Sequence, residues 1–274
     1  MANTYDFYKP KLDSEYPEVD GPVSVVTYIA ALDASYARFK EKLGKPLKLA
    51  SLHTHPHVNS DPIPKPPFSL DDVDYAIFHS PYGKQTVKAH ARLMFNDFLT
   101  NPLHPQFSSI PSPDTILNTP YSATLTDKSL EKTFITVAKS KFAQQVDPSM
   151  ACSRRLGNMY TASLYGCLAS LISSVEPAQL KGKRVTLFAF GSGCAASFFA
   201  LRVKGDTTEM KEKMDLINRL ANMKVVPCQE FIEALEVNFS FNWKKKGPLI
   251  ASFFSSAPRK DPQFVVVYPS WFDR

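Results

Sequence analysis

The chain has 274 residues and a formal net charge of +6, from 32 basic and 26 acidic side chains. With 44% hydrophobic and 21% charged residues it can bury a real core, which excludes a disordered chain. No apolar run approaches the ~20 residues that a membrane helix needs, and the basic charge is scattered, its densest run being Lys244-Lys245-Lys246. The surplus could attract an anionic ligand as easily as a nucleic acid, but it lacks a basic stripe with interleaved aromatics, so no nucleic-acid partner is expected. The N-terminus shows no basic-then-apolar leader, so a cytoplasmic location is expected. Cys152, Cys167, Cys194 and Cys228 form no CxxC pair, which fits reduced thiols.

The first 22 residues read as an irregular arm rich in Tyr, Pro and Asp. From Val25, apolar residues recur at three and four through Tyr28, Ile29, Leu32, Tyr36, Phe39 and Leu43, which predicts a helix ended by Gly44 and Pro46. Prolines 46, 56, 62, 64, 66 and 67 make 45–68 a loop. Asp74–His79 reads as a short buried strand, and Ser80-Pro81-Tyr82-Gly83 turns it into a helix over Lys84–Leu99. Residues 100–126 read as loop and 128–145 as a helix. Asn158 stands where a cap would, before a long helix through Leu164, Leu168, Leu171 and Val175. Val185–Phe190 is a strong strand, and Ala195–Val203 reads as its antiparallel continuation after Gly191-Ser192-Gly193. An exposed helix is expected over 204–222, a short helix at Phe231–Leu235, and strands at 249–254 and 264–268. Helices alternate with strands, so the class is α/β.

Four segments carry side chains suited to chemistry. In Phe78-His79-Ser80-Pro81-Tyr82-Gly83-Lys84 a histidine ends a buried strand, where ligands sit in α/β sheets. Its imidazole can shuttle protons near neutral pH. Lys84 and Lys88, one helical turn apart, can meet a phosphate. The plain alternative is a backbone-bonded histidine beside two solvated lysines. Gly157-Asn158-Met159-Tyr160-Thr161 puts an Asn donor at a helix start, either for an oxyanion or simply as a cap. Phe190-Gly191-Ser192-Gly193-Cys194 lets a ligand approach the backbone, or is a hairpin bulge. Cys167 and Cys194 sit in apolar runs and read as small core residues. His53-Thr54-His55-Pro56-His57 lies in the proline-rich loop without a cysteine partner, so no functional metal is assigned.

Together these words resemble the C-terminal half of the hydroxymethylglutaryl-CoA synthase family. The resemblance rests on Tyr5-Asp6-Phe7-Tyr8-Lys9-Pro10, Ser14-Glu15-Tyr16-Pro17, Val19-Asp20-Gly21, Ile77-Phe78-His79-Ser80-Pro81-Tyr82, Ala91-Arg92-Leu93-Met94-Phe95-Asn96-Asp97-Phe98-Leu99, Gly157-Asn158-Met159-Tyr160-Thr161 and Phe190-Gly191-Ser192-Gly193. They stand in the family's order over roughly residues 5–205, apart from the proline-rich insertion.

The resemblance implies half of a thiolase-like fold, a mixed sheet with packed helices, completed by dimerisation. It implies one synthase C-terminal-like domain over 1–274, with a loop at 45–68 and a divergent tail from about 206. It makes His79 the acid/base on a thioester substrate and places Asn158 beside it. It assigns substrate contacts to Asp6, Phe7, Pro81, Tyr82, Lys84, Tyr160 and Ser192, with Lys84 near CoA phosphates. Gly83 departs from the family's usual cysteine.

The family's nucleophilic cysteine and catalytic glutamate belong to its N-terminal half, which this sequence does not contain. Acetyl transfer to cysteine is therefore not expected of this chain alone. The leading expectation is a repurposed enzyme in which His79 serves a cyclisation, dehydration or aldol-type step. Its substrate would be a β-keto, thioester or polyketide-like compound of specialised metabolism, and no cofactor is required. The alternatives are the C-terminal subunit of a split synthase, working with a separate N-terminal-half chain, and a non-catalytic CoA-thioester-binding module. A lone half would expose an apolar face, so a homodimer or such a partner chain is expected to cover it.

Overall fold

The computed structural model describes residues 4, 6–8, 18–44, 67–234 and 265–267. The chain divides into two compact units, Met1–Met214 and Asp215–Arg274.

The first unit is built on a three-stranded mixed sheet. Strands β1 (Phe7–Tyr8) and β2 (Glu18–Val19) form a separate short antiparallel pair. Strand β3 (Tyr75–Phe78) runs parallel to β4 (Arg184–Gly191), with Tyr75 opposite Val185 and Phe78 opposite Phe188. Strand β5 (Ala195–Arg202) returns antiparallel to β4, with Arg184 opposite Arg202 and Gly191 opposite Ala195. Successive residues of a strand point to opposite faces. Phe78 and Phe188 therefore join one core, and Ile77 and Leu187 join the other. Coverage on both faces explains why β3 and β4 read as unbroken apolar runs.

The first face carries three long helices. Helix α1 (Gly21–Gly44) follows the expected periodicity and buries Tyr28, Leu32 and Tyr36. Asp20 caps it, its Oδ1 accepting from the Val23 amide at 3.0 Å. Helix α2 (Gly83–Thr100) is buried along most of its length, from Gln85 to Phe98. Helices α3 (Pro113–Leu117), α4 (Tyr121–Thr124) and α5 (Lys128–Gln145) follow. Asp127 caps α5 by accepting from the amides of Ser129 and Leu130. Beyond α6 (Ala151–Leu156), helix α7 (Ser163–Ser174) covers the opposite face with Leu164, Cys167 and Leu171.

Three local expectations change. The stretch 100–126 is not plain loop: it holds a 3-10 turn at Pro105–Phe107 as well as α3 and α4. Pro105 and Pro113 occupy first helical positions, where a missing N–H costs nothing. Asn158 does not cap the long helix, which begins five residues later at Ser163. Past the short α8 (Pro177–Leu180), the helix expected over 204–222 is two, α9 (Thr208–Met214) and α10 (Leu216–Ala221). Between them Asp215 holds φ at 41° and interrupts the helix.

In the second unit, α10 is followed by β6 (Lys224–Val226), which pairs in parallel with β7 (Val265–Val267). Residues 228–234 are helical. The expected strand at 249–254, most of the proline-rich loop and the histidine cluster at 53–57 lie outside the described residues.

The conspicuous segment Arg92–Leu99 is explained by packing. Arg92 and Asp33 are both buried. Arg92 Nε donates to both Asp33 oxygens at 3.0 and 2.9 Å, and Nη2 donates to Oδ2 at 2.7 Å. The remaining guanidinium face reaches the carbonyl and hydroxyl of Thr124 in α4. Asn96 donates to Asp33 at 2.7 Å. Asp97 accepts from the Tyr36 hydroxyl at 2.9 Å and the Leu70 amide at 2.8 Å. Removing one partner of such a buried pair strands the other charge, at a cost of about 3–5 kcal/mol. Asp33→Ala is expected to lose stability of that order in urea unfolding.

A second test uses His90, which is fully buried and bonded through Nε2 to Gln145 Oε1 at 3.1 Å. Burial lowers its pKa to about 4. A depressed histidine favours the neutral folded state, so its contribution is complete above the unfolded pKa near 6.5 and falls away as pH drops toward 4. The total is on the order of 3 kcal/mol. His90→Gln should flatten the pH dependence of stability across that window.

Candidate functional site

His79 is the first residue past β3, and its amide extends the ladder by donating to the Phe188 carbonyl at 2.7 Å. Its own carbonyl accepts from the Tyr28 hydroxyl at 2.7 Å. Tyr28 is buried against Phe188 and Phe190, with ring centroids 5.2 and 5.1 Å away. The histidine backbone is thus held from the sheet and from α1 together. Its imidazole lies 6.4 Å from the Phe190 ring, and burial lowers its pKa below 6.5. The neutral ring therefore predominates at neutral pH, with one nitrogen donating and the other accepting.

The next residues lock the turn. The Ser80 amide donates to Ser163 Oγ at 2.9 Å, tying the end of β3 to the start of α7. The Tyr82 hydroxyl donates to Gln85 Oε1 at 2.8 Å, and Thr86 Oγ1 donates to the Gly83 carbonyl. This brings the segment before α7 alongside His79. Gly157 takes φ 69°, ψ −142°, a conformation open to glycine alone. Met159 then packs on Gly166 of α7, where an added Cβ would stand 2.8 Å from its Cε. Asn158 Oδ1 accepts from the Tyr160 amide at 2.9 Å, a local turn that leaves Nδ2 free to donate. Tyr160 itself sits at φ 51°, a strained position for a bulky residue, and its side chain is exposed.

These pieces, with the Phe190–Ser192 end of β4, enclose a cavity of about 700 Å³. Of the residues singled out in the sequence, His79, Pro81, Tyr82, Asn158, Tyr160 and Ser192 line it. Lys84 lies outside the lining, exposed on the first turn of α2. Lys88 faces Glu131 of α5 at 3.3 Å, so the two lysines do not act as a pair. Asp6 is fully buried outside the cavity wall, with no hydrogen-bond partner among the described residues for either carboxylate oxygen. Phe7 is placed in β1 by its backbone. Tyr28 and Gln85 are wall residues that sequence reasoning missed. A buried tyrosine on an apolar helix stripe was the available signal, since its hydroxyl needs a partner. Gln85 gave none.

Among the described residues, the lining contains no Asp, Glu, Lys or Arg, and no cysteine. Cys167 is buried among the core residues under α7, where desolvation pushes its thiol up to about 11. Among the described residues, no group of three or more His, Cys, Asp or Glu is placed to hold a metal ion, and no helix is long and apolar enough to cross a membrane.

Residues 1–248 match the family described as hydroxymethylglutaryl-coenzyme A synthase C terminal. A Ganoderma lucidum hydroxymethylglutaryl-CoA synthase is 60% identical over 86% of this chain and 48% of its own length. An Alternaria alternata hydroxymethylglutaryl-CoA synthase-like protein is 40% identical over 94% of this chain and 59% of its own. Among solved structures, MvaS in complex with 3-hydroxy-3-methylglutaryl coenzyme A is 27% identical, with a TM-score of 0.53 over 82% of this chain and 49% of that one. The fold is the thiolase-like fold of these synthases. The chain spans about half the length of the curated relatives it matches.

The environment of His79 can be read directly. Its imidazole is expected to titrate below 6.5 in a long-range proton–nitrogen NMR series. Tyr28→Phe removes the donor to the His79 carbonyl and should cost about 1–2 kcal/mol in unfolding free energy. An unchanged stability would show that the carbonyl finds another donor.

Proposed function

The chain belongs to the hydroxymethylglutaryl-CoA synthase family by its C-terminal region, and from that premise we propose that it carries the acyl-binding, acid/base part of such a site. The observation that carries the reading is a desolvated imidazole on a cavity wall whose described residues include no Asp, Glu, Lys or Arg. His79 is the proton carrier. The substrate is a neutral β-keto compound, a thioester or a polyketide-like molecule, with its carbonyl oxygens inside the cavity. The accepting nitrogen of His79 takes a proton from the carbon between two carbonyls. The enolate oxygen is held by the Asn158 amide and the Ser192 hydroxyl. The imidazolium then returns its proton to carbon or oxygen, which serves an isomerisation, dehydration, cyclisation or aldol-type step.

Pro81, Tyr82 and Tyr160 shape the acyl end. In this reading Lys84, exposed at the start of α2, would meet the phosphates of a CoA carrier, and Asp6 and Phe7 of the N-terminal arm would contribute to the acyl end. The reading requires no cofactor, and a CoA thioester would be a substrate. The absence of any cysteine from the described lining and the raised Cys167 pKa favour a non-covalent route.

The half-length match favours a second reading. Here another polypeptide, a separately encoded first half or a second copy of this chain, supplies the remaining residues of the site.

Deuterium exchange into the α-carbon of acetoacetyl-CoA, followed by mass spectrometry in mildly acidic buffer, tests the first reading. The chain should accelerate exchange, and His79→Ala should reduce that acceleration by roughly 10²–10⁴-fold while thioester binding persists. Equal rates for both proteins would sink it. If exchange appears only after a synthase N-terminal half is added, the second reading stands instead.

A further inference from the structure

Strand β4 has two ends. Its Gly191 end opens on the His79 cavity, and its Arg184 end, roughly 23 Å away at the usual strand rise, opens on another. This second cavity has a volume of about 520 Å³ and shares no lining residue with the first. It lies within the size range of small-molecule sites. Phe39 and Leu43 from the last turns of α1, with Phe68, give it an apolar wall. Phe39 and Phe68 meet edge to face, with centroids 5.2 Å apart.

The charged part of the wall is unusual. Arg184 and Arg202 stand directly opposite each other across β4 and β5. Cross-strand partners share a face, with Cβ atoms about 4.5–5.5 Å apart, and like charges in that relation repel. Among the described residues, only Arg184 has a carboxylate near it: its amide donates to Asp74 Oδ2 at 2.8 Å, and its charge helps to lower the Asp74 pKa, though Lys183 shares that carboxylate at 2.9 Å. Arg184 Nη1 donates to the Asp72 carbonyl at 2.8 Å, which adds no negative charge. The Asp72 carboxylate accepts from the Ser69 amide at 3.1 Å and is the lone acidic group among the described lining residues. Lys40 also lines the cavity, but it is turned to Asp97 at 3.4 Å and Thr100 at 3.2 Å. The Arg202 side chain is exposed and has no ion pair or hydrogen bond among the described residues.

The geometry points to a binding site for an amphipathic organic anion, with a carboxylate or phosphate-ester head between Arg184 and Arg202 and a hydrocarbon body against Phe39, Leu43 and Phe68. Guanidinium forks match the planar geometry of either head, and two of them removed from full hydration favour a shared anion over mutual repulsion. The apolar wall explains why the ligand is more than a free inorganic ion. The site is independent of any chemistry at His79.

Titration calorimetry on the full chain tests it, with octanoate and octyl phosphate as probes and octanol and inorganic phosphate as controls. At least one of the two amphipathic anions should saturate one site per chain, and the preferred head identifies the ligand's source. Each control should bind at least tenfold more weakly, and added salt should weaken the anion's binding. Arg202→Gln should reduce affinity at least tenfold. Arg202→Lys, which keeps the charge and loses the fork, should fall between the two. Arg202 has no side-chain partner to lose, so both variants should fold, and His79→Ala should bind as the unaltered chain does. The proposal is overturned if neither anion binds, if octanol or phosphate binds equally well, or if Arg202→Gln changes nothing. Loss of binding in His79→Ala would move the ligand to the first cavity and overturn it as well.

Discussion

The buried pairing of Arg92 with Asp33 fixes how α1 lies on α2, and much of the first unit depends on it. A guanidinium at that depth is tolerable only with its donors satisfied, and Asp33, with the carbonyl and hydroxyl of Thr124, accepts from them. This sets the register of α1 against α2. One face of α1 then carries Tyr36 to Asp97, and an earlier turn carries Tyr28 to the His79 carbonyl. The residue proposed to move protons is thus held by a helix whose position is decided by an ion pair in the core. The Arg–Asn–Asp segment of α2, which in the sequence carries part of the family resemblance, holds its polar side chains with their partners in place.

The parts of the fold that were legible are those governed by local periodicity. The apolar stripes of α1 and α5 and the dense runs of β3 and β4 each follow from neighbours a few residues apart. The antiparallel return of β5 was legible because a Gly-Ser-Gly break joins two strand-like runs. What escaped are pairings across long separations. Tyr28 and His79 are 51 residues apart, and nothing local says that a helix-stripe tyrosine will reach a strand-end carbonyl. Lys84 and Lys88 looked equivalent because helical spacing places them one turn apart. Only the approach of α5 turns Lys88 toward Glu131 and separates their roles. Gln85, on which the sequence offers no signal, is buried, with its amide oxygen accepting from the Tyr82 hydroxyl.

The segment around Asn158 shows how a motif can be recognised while its geometry is misjudged. As a helix cap it would have offered backbone donors from α7. Instead the chain makes a glycine-only bend at Gly157, and Met159 is seated on Gly166. Tyr160 is held in a left-handed conformation. Such strain persists only where neighbouring packing imposes it. Its effect here is to present the Asn158 and Tyr160 side chains along the cavity wall. The donors belong to side chains on a braced loop, and the helix dipole is five residues removed.

Charge distribution gives the two ends of β4 different chemical characters. The chain carries a net charge of +6, yet none of that charge reaches the described wall around His79. Without a carboxylate partner, burial lowers the histidine pKa. A neutral imidazole can accept a proton and, once charged in an apolar setting, returns it readily. A carboxylate beside it would have raised its pKa and held the proton. The opposite end concentrates positive charge on adjacent strands and places apolar side chains beside it. The two proposed sites thus differ in charge at opposite ends of one strand. Because Phe188 and Phe190 on that strand pack against Tyr28, the same core that holds the histidine keeps the two cavities apart.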